Sequence, residues 1–377
     1  MSRFAFHRFW AVVLKEFVQM KRDRVTFAMM VGIPLLQLML FGFAINSDPR
    51  HLPTVVVSAD HGPFSRTLVA ALQHSGYFHV LRQVGSEAEA GRLLRRGDVQ
   101  FVLTIPLDFS RRILRGERPA LLLEADATDP AATGPAVAAV RTLAGAVFDR
   151  DLTGPLAPLR DRPGPVELRL HAHYNPENLT HYNVVPGLMG VVLTMTMIII
   201  TALAMTRERE RGTMESLLAT PVRPFEVMAG KIVPYIIVGY VQLTLILVAA
   251  KVLFRVPLVG SLPLVYVVAL VFIAANLAVG ITFSTLARNQ LQAVQMAFFF
   301  FLPSLLLSGF MFPFRGMPEW AQAIGSALPL THFLRIVRGV LLKGNGVAEI
   351  LPHLWPILLF TAVALTVGLK RYRQTLD

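Results

Sequence analysis

The chain has 377 residues, is 54% hydrophobic and holds Asp, Glu, Lys and Arg to 16%, a balance that excludes an ordinary soluble domain of this size. It has no cysteine, which excludes a disulfide framework and thiolate chemistry. Its formal charge is +12, yet residues 46–183 hold 15 Arg against 15 Asp and Glu, so the excess lies beside the apolar runs, where it fits membrane orientation and anionic lipid rather than nucleic acid.

In chain order, residues 4–22 contain no helix breaker, and Phe6, Phe9, Trp10, Val13, Phe17 and Met20 recur near helical spacing. Two readings stay open: an amphipathic helix in the cytoplasmic interface over 1–25, or a plain charged flank for insertion. Thr26–Ile45 follows, an apolar run of membrane-spanning length with no small-x-small cleavage site after it, which reads as an uncleaved anchor over 26–45.

The block 46–183 alternates two periodicities. Thr54–Ala59, Phe78–Val84, Gln100–Ile105, Ala120–Asp126 and Val166–Tyr174 read as strands. Phe64–Ser75, Glu87–Arg96, Asp108–Arg115 and a longer stretch near Ala131–Asp151 read as helices, with a Pro- and Gly-rich loop over 153–165. The alternation predicts a compact α/β domain inserted between the first and second spans.

Five further apolar runs predict spans over Val184–Met205, Ile232–Ala250, Leu264–Ala287, Leu291–Phe312 and Leu354–Leu369, the last starting as early as Leu351. The expected fold is thus an α-helical polytopic membrane protein of six transmembrane helices with an inserted α/β extracytoplasmic domain, residues 184–377 carrying five of the helices. Within the segment 313–353, Leu330–Leu342 predicts a helix opened by Pro329 and closed by Gly344. It is too short and too charged to span, and both a re-entrant dip and a surface amphipathic helix remain open.

Orientation follows from short flanks. With the N-terminus inside, the inside flanks hold 15 Lys and Arg and the outside short loops hold 6. Both termini are therefore expected in the cytoplasm of a bacterial inner membrane, with 46–183 outside.

The missing chemistry narrows the function. From Ile232 to Pro318 there is no Asp or Glu, whereas ion-coupled carriers generally need intramembrane carboxylates. Gly230-Lys231 is not a phosphate-binding loop, because Phe225 stands where its first glycine belongs and Ile232 follows the lysine. No nucleophile-elbow or metalloprotease motif occurs. Gln242, Asn276, Gln295, Phe298 and Phe299 are candidates for a substrate path, although the amides read first as interhelical hydrogen-bond partners. His171 and His173 share a strand face, with His181 nearby, and read as surface histidines before a weak metal site.

After the second span comes TRERERGTMESLLATP, residues 206–221. Arg207 with Glu210, and Glu208 with Arg211, are i,i+3 partners. Gly212 can end that helix, Thr213 cap a new one and Pro221 stop it. A short helix held between two spans within a cytoplasmic loop over 207–231 makes a good lever.

Several stretches agree in order with one family: LKEFVQMKRDR at 14–24, PLLQLMLFG at 34–42, LRRGDVQ at 94–100, IPLDF at 105–109, PGLMG at 186–190, RERERGTME at 207–215, TP at 220–221, GKIVPY at 230–235 and LPLTHFLRIVRG at 328–339. The chain resembles the permeases of ABC-2 type transporters, in the drug-export subgroup with one span, a large extracytoplasmic domain and five further spans. That resemblance implies a homo- or heterodimer of permease halves, each docking a separate ATP-binding-cassette ATPase that binds ATP and Mg, with no cofactor, metal or catalytic residue in this chain. It also implies that Glu208, Glu210, Gly212, Thr213, Glu215, Thr220, Pro221 and Lys231 meet that ATPase, together with Lys15, Glu16, Arg22 and Asp23. Membrane lipid and periplasmic export components are the further partners implied, and nucleic acid is not. The expected function is export of amphiphilic or hydrophobic compounds; a membrane scaffold or a ligand-sensing receptor is the alternative.

Overall fold

The computed structural model describes residues 49–159, 165–177, 179–210 and 224–374. The predicted first span, the amphipathic stretch before it and the loop 211–223 lie outside the described residues.

The first region contains β1 (Leu52–Ser58), α1 (Pro63–His74), β2 (Phe78–Val84), α2 (Glu87–Arg96), β3 (Phe101–Ile105), α3 (Phe109–Leu114), β4 (Ala120–Asp126), α4 (Pro130–Ala146) and β5 (Glu167–His173). Each predicted strand is a strand. The long helix stops at Ala146 rather than near Asp151, and the following loop takes a 3₁₀ turn at Gly154–Leu159. The sheet order is β2-β1-β3-β4-β5. β1 pairs parallel with β2 and β3, while β3 and β4 are antiparallel.

β1 reads LPTVVVS and is buried on both faces, as expected where helices cover both sides of a sheet. On one face Phe64, Leu68 and Leu72 of α1 pack with Phe109, Ile113, Val140 and Phe148. On the other, Ala90 and Leu94 of α2 cover Val55, Val84 and Val102. The sequence of α2 fixes its ends: the Ser86 side chain accepts the Glu89 N–H at 3.2 Å, and Gly97 takes a left-handed φ of 78°. The antiparallel β3–β4 pairing then sets the site. It brings the chain leaving α2 beside the end of β4, where Asp126 N–H donates to the Gln100 carbonyl at 2.9 Å.

The second region contains α5 (Thr180–Glu210), α6 (Pro224–Val252), α7 (Leu262–Leu286), α8 (Gln290–Leu307), α9 (Glu319–Ala327), α10 (Pro329–Arg338) and α11 (Val347–Gln374). Five stretches are long and apolar enough to cross a membrane: Thr180–Ala204, Val233–Val252, Leu262–Leu286, Gln290–Leu307 and Val347–Gly368. The predicted run Leu291–Phe312 overshoots, because the helix breaks after Leu307 and Gly309 turns left-handed at φ 82°. The last starts at Val347 and runs through Pro352 and Pro356, which helices of this setting tolerate.

α7 is the central helix, packed with α5, α11, α6 and α10. Its Phe272 stacks on Phe333 of α10, with centroids 4.0 Å apart and planes 9° apart. On α6, Val233, Ile237, Val241, Leu245 and Val248 are exposed, and on α11 Leu351, Trp355, Leu358 and Val363 are too. Faces this apolar are stable against lipid or another protein surface rather than water.

The segment before α11 is not the surface amphipathic helix, one of the two readings left open by the sequence. Pro329 opens α10 and Gly344, at φ 71°, closes the π turn Gly339–Lys343 that continues it. Leu330, Phe333, Leu334 and Val337 are buried in the main helical core. α10 is therefore an internal helix, and its cations turn toward the sheet region.

Candidate functional site

The predicted coupling residues divide in two. Lys15, Glu16, Arg22, Asp23, Gly212, Thr213, Glu215, Thr220 and Pro221 lie outside the described residues. Glu208 is on α5 and Lys231 on α6. Glu210 is the last residue of α5, and its carboxylate is held by Gln290 rather than by Arg207. It accepts the Gln290 backbone N–H at 2.8 Å and the Gln290 side-chain amide. Those bonds hold the Glu210 carboxyl below the ordinary range. Gln290 opens α8 after the N-cap Asn289, so a negative charge sits where free N–H groups and the helix dipole favour it.

The predicted path residues lie on three helices. Gln242 is on α6, Asn276 on α7, and Gln295, Phe298 and Phe299 on α8. Among the described residues, the interhelical bonds expected of the amides of Gln242, Asn276 and Gln295 are not formed. Asn276 donates within its own helix, to the Phe272 carbonyl at 2.9 Å. The side-chain oxygens of Gln242, Asn276 and Gln295 are buried without a partner. Phe298 makes an edge contact with Phe301 at 6.4 Å, and Phe299 is exposed.

Sequence reading missed a polar junction between the two regions. A cavity of about 370 Å³ lies between the end of β4, the turn after α2 and the α10–α11 segment. Arg335 and Arg338, one turn apart on α10, both line it, with Arg315 and Lys343. Lys343 pairs with Asp126, both side chains 8% exposed, and stands 5.3 Å over the Tyr174 ring. Asp126 also accepts from the Thr128 hydroxyl at 2.8 Å. Arg315 donates to the Gly97 carbonyl at 2.8 Å, and Asn345 to the Arg95 carbonyl at 3.2 Å. These bonds fasten the end of α2 to the bundle. Asn183, at the start of α5, donates to Asp129 at 3.2 Å.

Burial dominates the electrostatics here. It raises the Asp129 carboxyl, against the opposing pull of Arg338. It lowers Arg335 to about 10, and the like charges of Arg315 and Arg338 add to that shift. The sequence signal that could have found the junction is the pair Arg335 and Arg338 at i,i+3 on a helix whose other faces are apolar.

On the sheet edge, β4 and β5 pair Glu124 with His171 and Asp126 with His173. His173 Nε2 lies 2.7 Å from Glu124, and the His171 and His173 rings are 4.1 Å apart. The ligand atoms of Glu124, His171 and His173 lie within 4.8 Å of one another, a spacing open to a divalent ion, although the histidine–carboxylate bond already satisfies two of the three groups. His181 instead packs on Tyr182 at 5.0 Å.

The family model described as "ABC-2 family transporter protein" matches residues 24–370. The Escherichia coli protein named "Probable multidrug ABC transporter permease YbhR" is 28% identical over 98% of this chain and 99% of its own length. "Probable multidrug ABC transporter permease YbhS" of the same organism is 27% identical over 90% of each chain. "Inner membrane transport permease YhhJ", also from Escherichia coli, is 28% identical over 91% of this chain and 93% of its own.

Proposed function

The chain belongs to the ABC-2 family of transporter proteins, and from that premise we propose that it is the permease subunit of an exporter that moves amphiphilic or hydrophobic compounds out of the cytoplasm or inner leaflet. Energy comes from a separate ATP-binding-cassette subunit, which binds ATP and Mg. Two permease halves, identical or different, form the pore. The topology is six spans with both termini cytoplasmic and 46–183 inserted outside as an α/β domain. Residues 207–231 and the N-terminal stretch meet the ATPase.

The observation that carries this reading is the bundle itself. The membrane-spanning stretches Val233–Val252, Leu262–Leu286 and Gln290–Leu307 contain no Asp or Glu, so they offer no carboxylate relay for ion coupling. The polar side chains they bury are uncharged, and among the described residues the side-chain oxygens of Gln242, Asn276 and Gln295 have no partner, which suits cargo without charge. Glu210 supports the position of the coupling loop, since it ties the helix entering that loop to the start of α8.

The test is reconstitution of the chain with the cassette ATPase encoded beside it. The proteoliposomes should move amphiphilic dyes in an ATP-dependent way, and the same compounds should stimulate ATP hydrolysis. Failure of any cassette ATPase to associate with the purified chain, or transport unaffected by a hydrolysis-dead ATPase, would overturn the reading.

A further inference from the structure

The junction cavity holds more buried positive charge than the protein neutralises. Among the described residues, the ion pairs across it reduce to one, Lys343 with Asp126. Arg315 spends its guanidinium on the Gly97 carbonyl. Arg335 lies over the Phe314 ring at 4.5 Å. Arg338 donates Nη1 to the Gly309 carbonyl at 3.2 Å, while its Nε and Nη2 are buried with no partner. Of the other carboxylates lining it, Asp129 is bonded to Asn183, Glu349 accepts the Gly346 N–H at 3.0 Å and Asp98 is exposed. Burying guanidinium groups without anions is costly, and a fixed fork of N–H donors matches the geometry of an oxyanion.

The position narrows the ligand. Glu349 and His353, from the opening turns of α11, line the cavity. Trp355, two residues on, is exposed, as is Trp320 of α9. Exposed tryptophans near the ends of apolar helices are enriched at the membrane–water interface, which favours headgroup depth for the cavity. We propose that this cavity binds a phosphate-type oxyanion through Arg335 and Arg338, supplied either by the headgroup of an anionic phospholipid or by a soluble phosphate. Bound there, the ligand would join α10 to the sheet region through charge rather than through a protein carboxylate.

The full chain, purified in neutral detergent and in phosphatidylcholine nanodiscs, tests this. One arm titrates inorganic phosphate against chloride at matched ionic strength and reads the thermal unfolding midpoint. The other adds phosphatidylglycerol to the nanodiscs and reads retained lipid by native mass spectrometry. Saturable stabilisation by phosphate assigns a soluble ligand. Stoichiometric retention of phosphatidylglycerol without a phosphate effect assigns a lipid headgroup. In either case Arg335→Gln and Arg338→Gln should weaken binding by about tenfold or more. If neither probe exceeds the chloride and phosphatidylcholine backgrounds on the unaltered chain, or if both variants bind as it does, the proposal fails. Should Arg338→Gln not fold, Arg335→Gln and the unaltered chain decide it. Binding is read directly, so a chain that binds but does not export would overturn the exporter reading alone.

Discussion

Glu210 and Gln290 are joined by two hydrogen bonds across eighty residues of chain. Glu210 ends α5, immediately before the loop 211–223, and Gln290 begins α8. A displacement of that loop therefore reaches two membrane helices at once, α5 directly and α8 through the carboxylate.

The first prediction concerns that strap. Glu210→Ala removes both bonds, and Gln290→Ala removes the side-chain bond alone. In the reconstituted complex, Glu210→Ala should lower substrate-stimulated ATP hydrolysis several-fold with assembly intact, and Gln290→Ala should lower it less. A normal Gln290→Ala beside an impaired Glu210→Ala would show that Glu210 acts on the ATPase itself. Normal coupling in both would remove the strap from the mechanism.

The pattern of residues shows why some of this was legible and some was not. The strands and helices of the sheet region follow from local signals: the VVV run of β1, Ser86 and Gly97 at the ends of α2, and His-x-His alternation on β5. Pro329 and Gly344 marked the helix and turn between them for the same reason. Burial of that segment was hidden, because Arg335 and Arg338 argue for a solvated surface unless the sheet region is known to cover them. Lys343 with Asp126, and Glu210 with Gln290, join positions far apart in the chain, and no periodicity encodes such pairs. Nor could the sequence show that Asn276 turns back to its own helix.

The second prediction concerns Lys343 and Asp126. Both side chains are nearly buried, so Lys343→Met leaves a carboxylate without its cation, at a cost of about 3–5 kcal/mol. Adding Asp126→Asn should recover most of that loss, because the uncompensated charge is gone. Thermal unfolding of the single and double variants in detergent gives the coupling. Additive losses would show that the two side chains do not stabilise each other.

A third outcome follows from the contact of α5 with α7. A Cβ built on Gly280 would stand 2.8 Å from the Ile198 carbonyl oxygen and 2.8 Å from Thr201 Cβ. A backbone oxygen cannot swing aside as a side chain would, so Gly280→Ala should push the helices apart and cost about 1–3 kcal/mol. A melting temperature equal to that of the unaltered chain would mean that the contact is looser than described.

Asn276 offers a separation of stability from transport. It is fully buried, and its Oδ1 has no partner. An unsatisfied buried carbonyl costs about 1–3 kcal/mol, so Asn276→Leu, of similar size, should leave the melting temperature unchanged or raise it. Efflux should fall if the amide meets cargo. Unaltered efflux would take Asn276 out of the path.

The last prediction is a pH dependence at His332. Its Nε2 lies 2.8 Å from the Ser326 carbonyl, so that nitrogen carries hydrogen and donates. Its Nδ1 faces Nδ1 of His353 at 3.4 Å, which the geometry satisfies when His332 accepts there and His353 donates. A second proton on His332 would set two N–H groups against each other. Burial pushes His332 below the ordinary value of 6.5, and the charge of Arg335 pushes in the same direction. The folded state thus binds this proton less readily than the unfolded chain does. The stability this provides is fully present above 6.5 and is lost as pH falls through that value toward the lowered one. The melting temperature should therefore drop on acidification below 6.5. His332→Gln, which can donate to Ser326 and does not titrate, should flatten that limb. An acid limb as steep in the variant as in the unaltered chain would assign the dependence to another group.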